Sequence, residues 1–175
     1  MKKNLLKLIS LTVILLFIVP AMVNAQGKTD FSGSWVMNAE KSNLGAPAGA
    51  PGGGGGGGFG GRGGGGNFVA KQDAATLSVE RTRNRNGEET TTTTKYTLDG
   101  KESVNTTGMG ESKSTAKWSA DGKSLSITTS RSFNGNDMTT TEVWTLTDPK
   151  TISITSTRPG QDGAEMKTTI VYDKK

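Results

Sequence analysis

The sequence predicts an all-β protein, an antiparallel up-and-down meander of about eight to nine strands that closes into a barrel. Three observations lead there. Residues 67–175 contain 23 threonines among 109 residues, with both tyrosines and two of the three tryptophans, the β-branched and aromatic types that suit a pleated, half-buried surface. Apolar and polar residues alternate with period two through much of this segment. Turn pairs recur between the runs at Asn86-Gly87, Asp99-Gly100, Asp121-Gly122, Asn134-Gly135 and Asp162-Gly163, with Asp148-Pro149 in the same series. Each Asx-Gly pair supplies the positive φ of a tight hairpin.

Residues 1–25 come first. Lys2, Lys3 and Lys7 precede an apolar stretch at 8–19 that only Ser10 and Thr12 interrupt, followed by Pro20 and the small-residue end Val23-Asn24-Ala25. This is the pattern of a secretory signal cleaved after Ala25. A dozen residues fall short of the roughly 20 that span a bilayer, so no lasting membrane insertion is expected. The product would be periplasmic or secreted, beginning at Gln26. The chain has no cysteine, which excludes a lipid-anchored lipoprotein and any disulfide. Its net charge of +5 falls to 18 basic against 16 acidic side chains once the three leader lysines are gone, so the basic balance gives no reason to expect nucleic acid as a partner.

Residues 26–44 carry the first strand of the barrel, read at 31–38. Residues 45–66 then hold 15 of the 25 glycines and two prolines. Side chains this small cannot offset the entropy of being fixed, so the tract is expected to be a disordered glycine-rich loop that adds little to stability. It lacks the Gly-Lys-Ser/Thr ending of a phosphate-cradling loop, and one arginine, Arg62, makes no RNA-binding tract.

Residues 67–175 complete the meander. Leu77, Val79 and Arg81 share one face; Leu125 and Ile127 alternate with Ser124, Ser126 and Thr128; Ile152 and Ile154 alternate with Thr151, Ser153 and Thr155. Met138, Thr140, Glu142, Trp144 and Leu146 share a face, placing a glutamate among apolar neighbours. Gly108-Met109-Gly110 marks one more turn. Ile, Leu, Val and Phe number only 15 of the 109 residues, so the core is thin, but the segment's charge of 15 basic against 14 acidic side chains does not expand it as disorder would require. A long meander must hide its edges, and closing into a barrel does so.

With no His and no Cys, catalytic triads, Cys-His dyads, thiolate clusters and His-ligated metals are excluded. Catalysis would rest on carboxylates such as Glu80, Glu88, Glu89, Glu102 and Glu142, which mark no paired acid and base beside an aromatic-lined cleft. No enzyme activity, cofactor, metal site or catalytic residue is expected. The aspartates of the Asp-Gly turns lack the spacing that gathers oxygens on calcium. Arg81, Arg83 and Arg85 alternate onto one face and read as a solvent-facing stripe. The threonines at 90–94 and 139–141 read as solvent-facing strand positions.

Gly33-Ser34-Trp35 on the first strand resembles the G-x-W signature of lipocalins and their calycin relatives. The longer run from Asp30 to Ser42, with Phe31-Ser32-Gly33-Ser34-Trp35 and then Asn38-Ala39-Glu40-Lys41-Ser42, is similar to a group of small exported bacterial lipocalin-like domains that are largely uncharacterised. Tyr96-Thr97-Leu98-Asp99-Gly100-Lys101-Glu102, Ala116-Lys117-Trp118, Glu142-Val143-Trp144-Thr145-Leu146 and Val171-Tyr172-Asp173-Lys174-Lys175 carry the likeness along the chain. The resemblance implies that Trp35 plugs one end of the barrel beside Gly33, that a late arginine lies over its ring, for which Arg158 is the candidate, and that the protein binds a small ligand of unknown identity. The alternative is a structural or interaction protein of the envelope or matrix, whose partner is a protein or glycan; a monomer is expected in either case. Interior residues separate the two: bulky inward side chains leave no cavity, whereas Thr, Ser and Ala pointing inward leave one.

Overall fold

The structure is a computed structural model that describes residues 27–43, 66–85, 87–107, 110–133, 135–160 and 164–175. The segment read as a signal, residues 1–25, and, apart from Gly66, the glycine-rich tract lie outside the described residues.

Ten strands follow one another: β1 (Gly33–Asn43), β2 (Phe68–Gln72), β3 (Thr76–Arg85), β4 (Glu88–Thr97), β5 (Glu102–Thr107), β6 (Gly110–Trp118), β7 (Ser124–Phe133), β8 (Asn136–Asp148), β9 (Thr151–Pro159) and β10 (Glu165–Lys174). They form one antiparallel sheet in the order β4-β3-β2-β1-β10-β9-β8-β7-β6-β5. The last strand returns beside the first, with Trp35 opposite Lys174 and Met37 opposite Tyr172. The predicted meander is therefore observed, with one or two strands more than the turn signals suggest. The unforeseen turn is at Asp73, which has no glycine. Its carboxylate accepts the N–H groups of Ala75 at 2.8 Å and Thr76 at 2.7 Å, which ends β2 after five residues.

The foreseen turns do what their chemistry requires. Gly87, Gly100, Gly122 and Gly135 adopt φ of 86°, 81°, 69° and 78°, and Gly110 adopts 99°, all values that a residue with a Cβ rarely takes. Asp99, Asp121 and Asp148 each accept the N–H of the lysine two residues on, at 3.0, 3.1 and 2.8 Å.

These hydrogen bonds favour the charged carboxylate and hold the aspartates below their ordinary value. The N–H of Ala75 is the main cause at Asp73, that of Lys101 at Asp99, the Ser119 hydroxyl at Asp121 and the N–H of Lys150 at Asp148. A depressed folded pKa contributes stability that is complete above the unfolded value, about 3.9, and is lost as pH falls through the folded one. The denaturant midpoint should thus stay level between about pH 7 and 5 and decline below about pH 4. Asparagine at 73, 99, 121 and 148 keeps the acceptor but cannot titrate, and should flatten that decline. A decline of undiminished depth in the asparagine variant would place the acid sensitivity elsewhere.

The two end strands of the sheet, β4 and β5, are consecutive in the chain and meet without a backbone ladder. Side chains join them instead. The Asn105 amide accepts the Lys95 N–H at 2.8 Å and donates to the Lys95 carbonyl at 3.0 Å, and the Thr97 N–H donates to Ser103 Oγ at 2.8 Å. The barrel is nearly closed, its last seam made by side chains that imitate a strand.

Candidate functional site

Every strand but β4 and β5 has buried apolar anchors that identify its inward face, and cross-strand register carries that face around the barrel. Leu77 and Val79 are buried on β3, Ala116 on β6, Leu125 and Ile127 on β7, Trp144 on β8, Ile152 and Ile154 on β9, and Ile170 and Tyr172 on β10. Nearly all lie toward the end that holds Phe31 and the turns at Asp99, Asp121 and Asp148. The interior thus divides into an apolar floor and an upper half built from the remaining inward positions.

The floor is aromatic. Trp118 stacks on Phe31 with centroids 5.8 Å apart, Phe31 meets the edge of Trp144 at 5.9 Å, and Phe68 links Trp144 at 5.4 Å, Tyr172 at 4.9 Å and Trp35 at 6.4 Å. Gln72 holds the entering chain in place, accepting the Phe31 N–H at 3.1 Å and donating to the Thr29 carbonyl at 2.9 Å. Trp35 is 1% exposed and its indole N–H donates to the Phe31 carbonyl at 2.9 Å. The cation over its ring is Lys174 of β10, with Nζ 5.4 Å from the centroid, rather than Arg158, the late-strand candidate. Arg158 pairs in register with Met166, far up the barrel wall, because its strand runs away from the floor. Gly33, with φ of 150°, lies where a Cβ would run into the Lys174 side chain, so its lack of a side chain leaves the lysine its path over the indole.

Above the floor the inward positions change character. On β7 and β8 they continue as Thr129 and Arg131, and as Glu142 and Thr140; on β9 and β10 as Ser156 and Thr168. Register with β3 places Tyr96, Thr94 and Thr92 inward on β4, opposite Leu77, Val79 and Arg81. Ser112 and Ser114 of β6 are buried; Ser112 donates to the Asn105 carbonyl at 3.3 Å and Ser114 shares a 2.9 Å hydrogen bond with Thr129.

Four larger polar side chains stand among these hydroxyls. The Arg81 guanidinium lies 4.8 Å over the Phe68 ring and its Nη1 reaches the Gly66 carbonyl at 3.5 Å. Glu142 accepts the Trp144 indole N–H at 3.0 Å. Arg131 has a buried Nε with no hydrogen-bond partner. Burial pushes the Tyr96 phenol well above its ordinary value, with Glu142 acting in the same direction and Arg81 and Arg131 opposing; burial likewise raises Tyr172, against Arg81. The arginines and the glutamate therefore share one electrostatic environment in the upper interior.

Of the five carboxylates singled out from sequence, only Glu142 enters this region. Glu88, Glu89 and Glu102 are exposed, and Glu80 faces away from Val79. No group of three or more acidic side chains is placed to hold a metal among the described residues. The predicted solvent-facing arginine stripe is corrected: Arg81 points inward because it shares the face of Leu77 and Val79, while Arg83 is exposed near the end of the strand. The threonines at 90–94 are likewise split, Thr91 and Thr93 facing solvent and Thr92 and Thr94 facing in. Arg131 escaped the sequence reading although the alternation of Leu125 and Ile127 leads to it.

No family model matches the chain, and no curated protein matches it. Among solved structures it is similar to a point mutant of the fluorescent protein UnaG, at 17% sequence identity over 62% of this chain and 70% of that one, with a TM-score of 0.43.

Proposed function

We propose that this chain is an exported, lipocalin-like β-barrel whose upper interior is a chamber for one small ligand. The observation that carries the reading is the change in inward side chains along each strand, from Leu, Ile and aromatic rings at the floor to Thr and Ser above it. Eight strands already give an interior that side chains only just fill. Ten strands lined by hydroxyls two or three heavy atoms long leave space that ten strands lined by leucine would not. The apolar leader ending at Ala25 supports export, and binding in the periplasm or outside the cell is part of this proposal. Nothing in the reading requires catalysis.

Native mass spectrometry of protein purified from its own host tests it. The expected spectrum shows a folded monomer beginning at Gln26 with an added mass that denaturation releases. Thr129→Trp, which fills the chamber from β7, should return the bare mass while remaining folded. A bare wild-type mass from gently purified protein would overturn the proposal.

A further inference from the structure

The hydroxyl groups of this barrel fall into two sets. Facing outward, Thr82 bonds Thr91 at 2.9 Å, Ser124 bonds Thr145 at 2.9 Å, Thr128 bonds Thr141 at 3.2 Å, Ser130 bonds Thr139 at 3.1 Å and Thr155 bonds Thr169 at 3.1 Å, so adjacent strands satisfy one another. In the upper interior Ser114 and Thr129 pair at 2.9 Å, whereas Thr92, Thr94, Thr140, Ser156 and Thr168 form no such pairs among the described residues. Polar groups in a recess are satisfied by water or by a ligand. A ligand that displaces this water must replace its hydrogen bonds or lose affinity, and a hydrocarbon chain replaces none.

Charge narrows the class further. Arg81 is already engaged by the Phe68 ring and the Gly66 carbonyl, whereas Arg131 makes no ion pair among the described residues and its Nε is buried without an acceptor. With no ion-pair partner among the described residues, the guanidinium has its terminal Nη donors left for a carboxylate. One Glu142 oxygen accepts from Trp144, which leaves the other to accept a ligand hydroxyl. Two arginines and one glutamate leave the region one positive charge in excess, so a single negative charge neutralises it. The aromatic rings of Trp35, Phe68 and Trp144 bound the upper interior from below.

From these features we infer that the chamber takes a small polyhydroxylated carboxylic acid, the chemical class of the sugar acids, with its carboxylate on Arg131 and a hydroxyl on Glu142. This rests on the reading of the upper interior as a binding chamber. Calorimetry with three probes tests it: D-glucuronate, which has both charge and hydroxyls; D-glucose, which lacks the charge; and hexanoate, which lacks the hydroxyls. Glucuronate should bind one to one, with the other two at least about tenfold weaker, the loss expected for one charge-assisted contact. Arg131→Gln should weaken glucuronate roughly tenfold or more, Arg131→Lys should fall between, and Thr93→Ala on the outer face should leave binding unchanged, with circular dichroism confirming that each variant is folded. Hexanoate binding as tightly as glucuronate, or glucuronate binding indifferent to Arg131→Gln, would overturn the assignment. If none of the probes binds while host-purified protein carries an added mass that Thr129→Trp removes, the ligand class is wrong and the chamber stands. If none binds and the host protein is bare, both fall together.

Discussion

Replacing Trp35 with alanine is expected to destabilise the fold by roughly 3 to 5 kcal/mol, the range for a large aromatic side chain truncated in a core. Three separate losses contribute. The indole is almost wholly buried and contacts Phe68, through which it joins the ring network of the floor. Its N–H satisfies the Phe31 carbonyl, and a buried carbonyl left without a donor costs about 1 to 3 kcal/mol. Its face carries Lys174, which would be left over a void. Against a total domain stability of about 5 to 15 kcal/mol, the variant is expected to lie near its folding limit. The measurement is denaturant melting of Trp35→Ala beside Trp144→Ala and Trp118→Ala, with exposed Thr93→Ala as the control. Trp118→Ala should cost least of the three tryptophans, because Trp118 is only partly buried. Trp35→Phe separates the terms, since it keeps a ring and removes the indole N–H. A Trp35→Ala curve superimposable on that of Thr93→Ala would show that the first strand does not hold the floor closed.

How far the molecule was legible in its sequence follows from where inner and outer residues differ in kind. On β7 and β9 the leucine and isoleucines alternate with hydroxyl residues, and the structure buries the apolar set of that alternation. On β4 both faces are threonine, so Thr92 and Thr93 are identical as letters, and only pairing with β3 decides which of them faces in. The imperfection noticed on β8, a glutamate in line with Trp144, was the chemical signal of the upper interior. Arg81 gave the same signal by sharing a face with Leu77 and Val79, and the competing reading as a stripe with Arg83 and Arg85 hid it. Charged residues in register with buried ones belong to the interior, and the sequence showed two such cases. What it could not show was distance. That Arg131, Arg81 and Glu142 all act on Tyr96 depends on closure of the sheet, which brings β3, β4, β7 and β8 around a common space.

That closure has one weak line, and Asn105→Ala is expected to open it. Every other neighbouring pair of strands is joined by a backbone ladder, whereas β4 and β5 are joined by the amide of Asn105, which donates to and accepts from Lys95, and by Ser103 at Thr97. An asparagine amide offers the same donor and acceptor as a peptide group, so it stands in for a missing strand residue. Alanine leaves both polar groups of Lys95 without their protein partner, at a cost of about 1 to 3 kcal/mol. Because the loss falls on a single seam, local opening should exceed the global change. Hydrogen exchange at the Lys95 amide is therefore expected to accelerate by at least about tenfold, while the amides of β8 and β9, laddered on both sides, follow only the global stability. Asn105→Asp keeps an acceptor for the Lys95 N–H and loses the donor to its carbonyl, so it should protect that amide better than alanine does. If Lys95 exchanges at the wild-type rate in Asn105→Ala, the seam is held by the Asp99-Gly100 turn and the packing below it, and the amide bridge contributes nothing to closing the barrel.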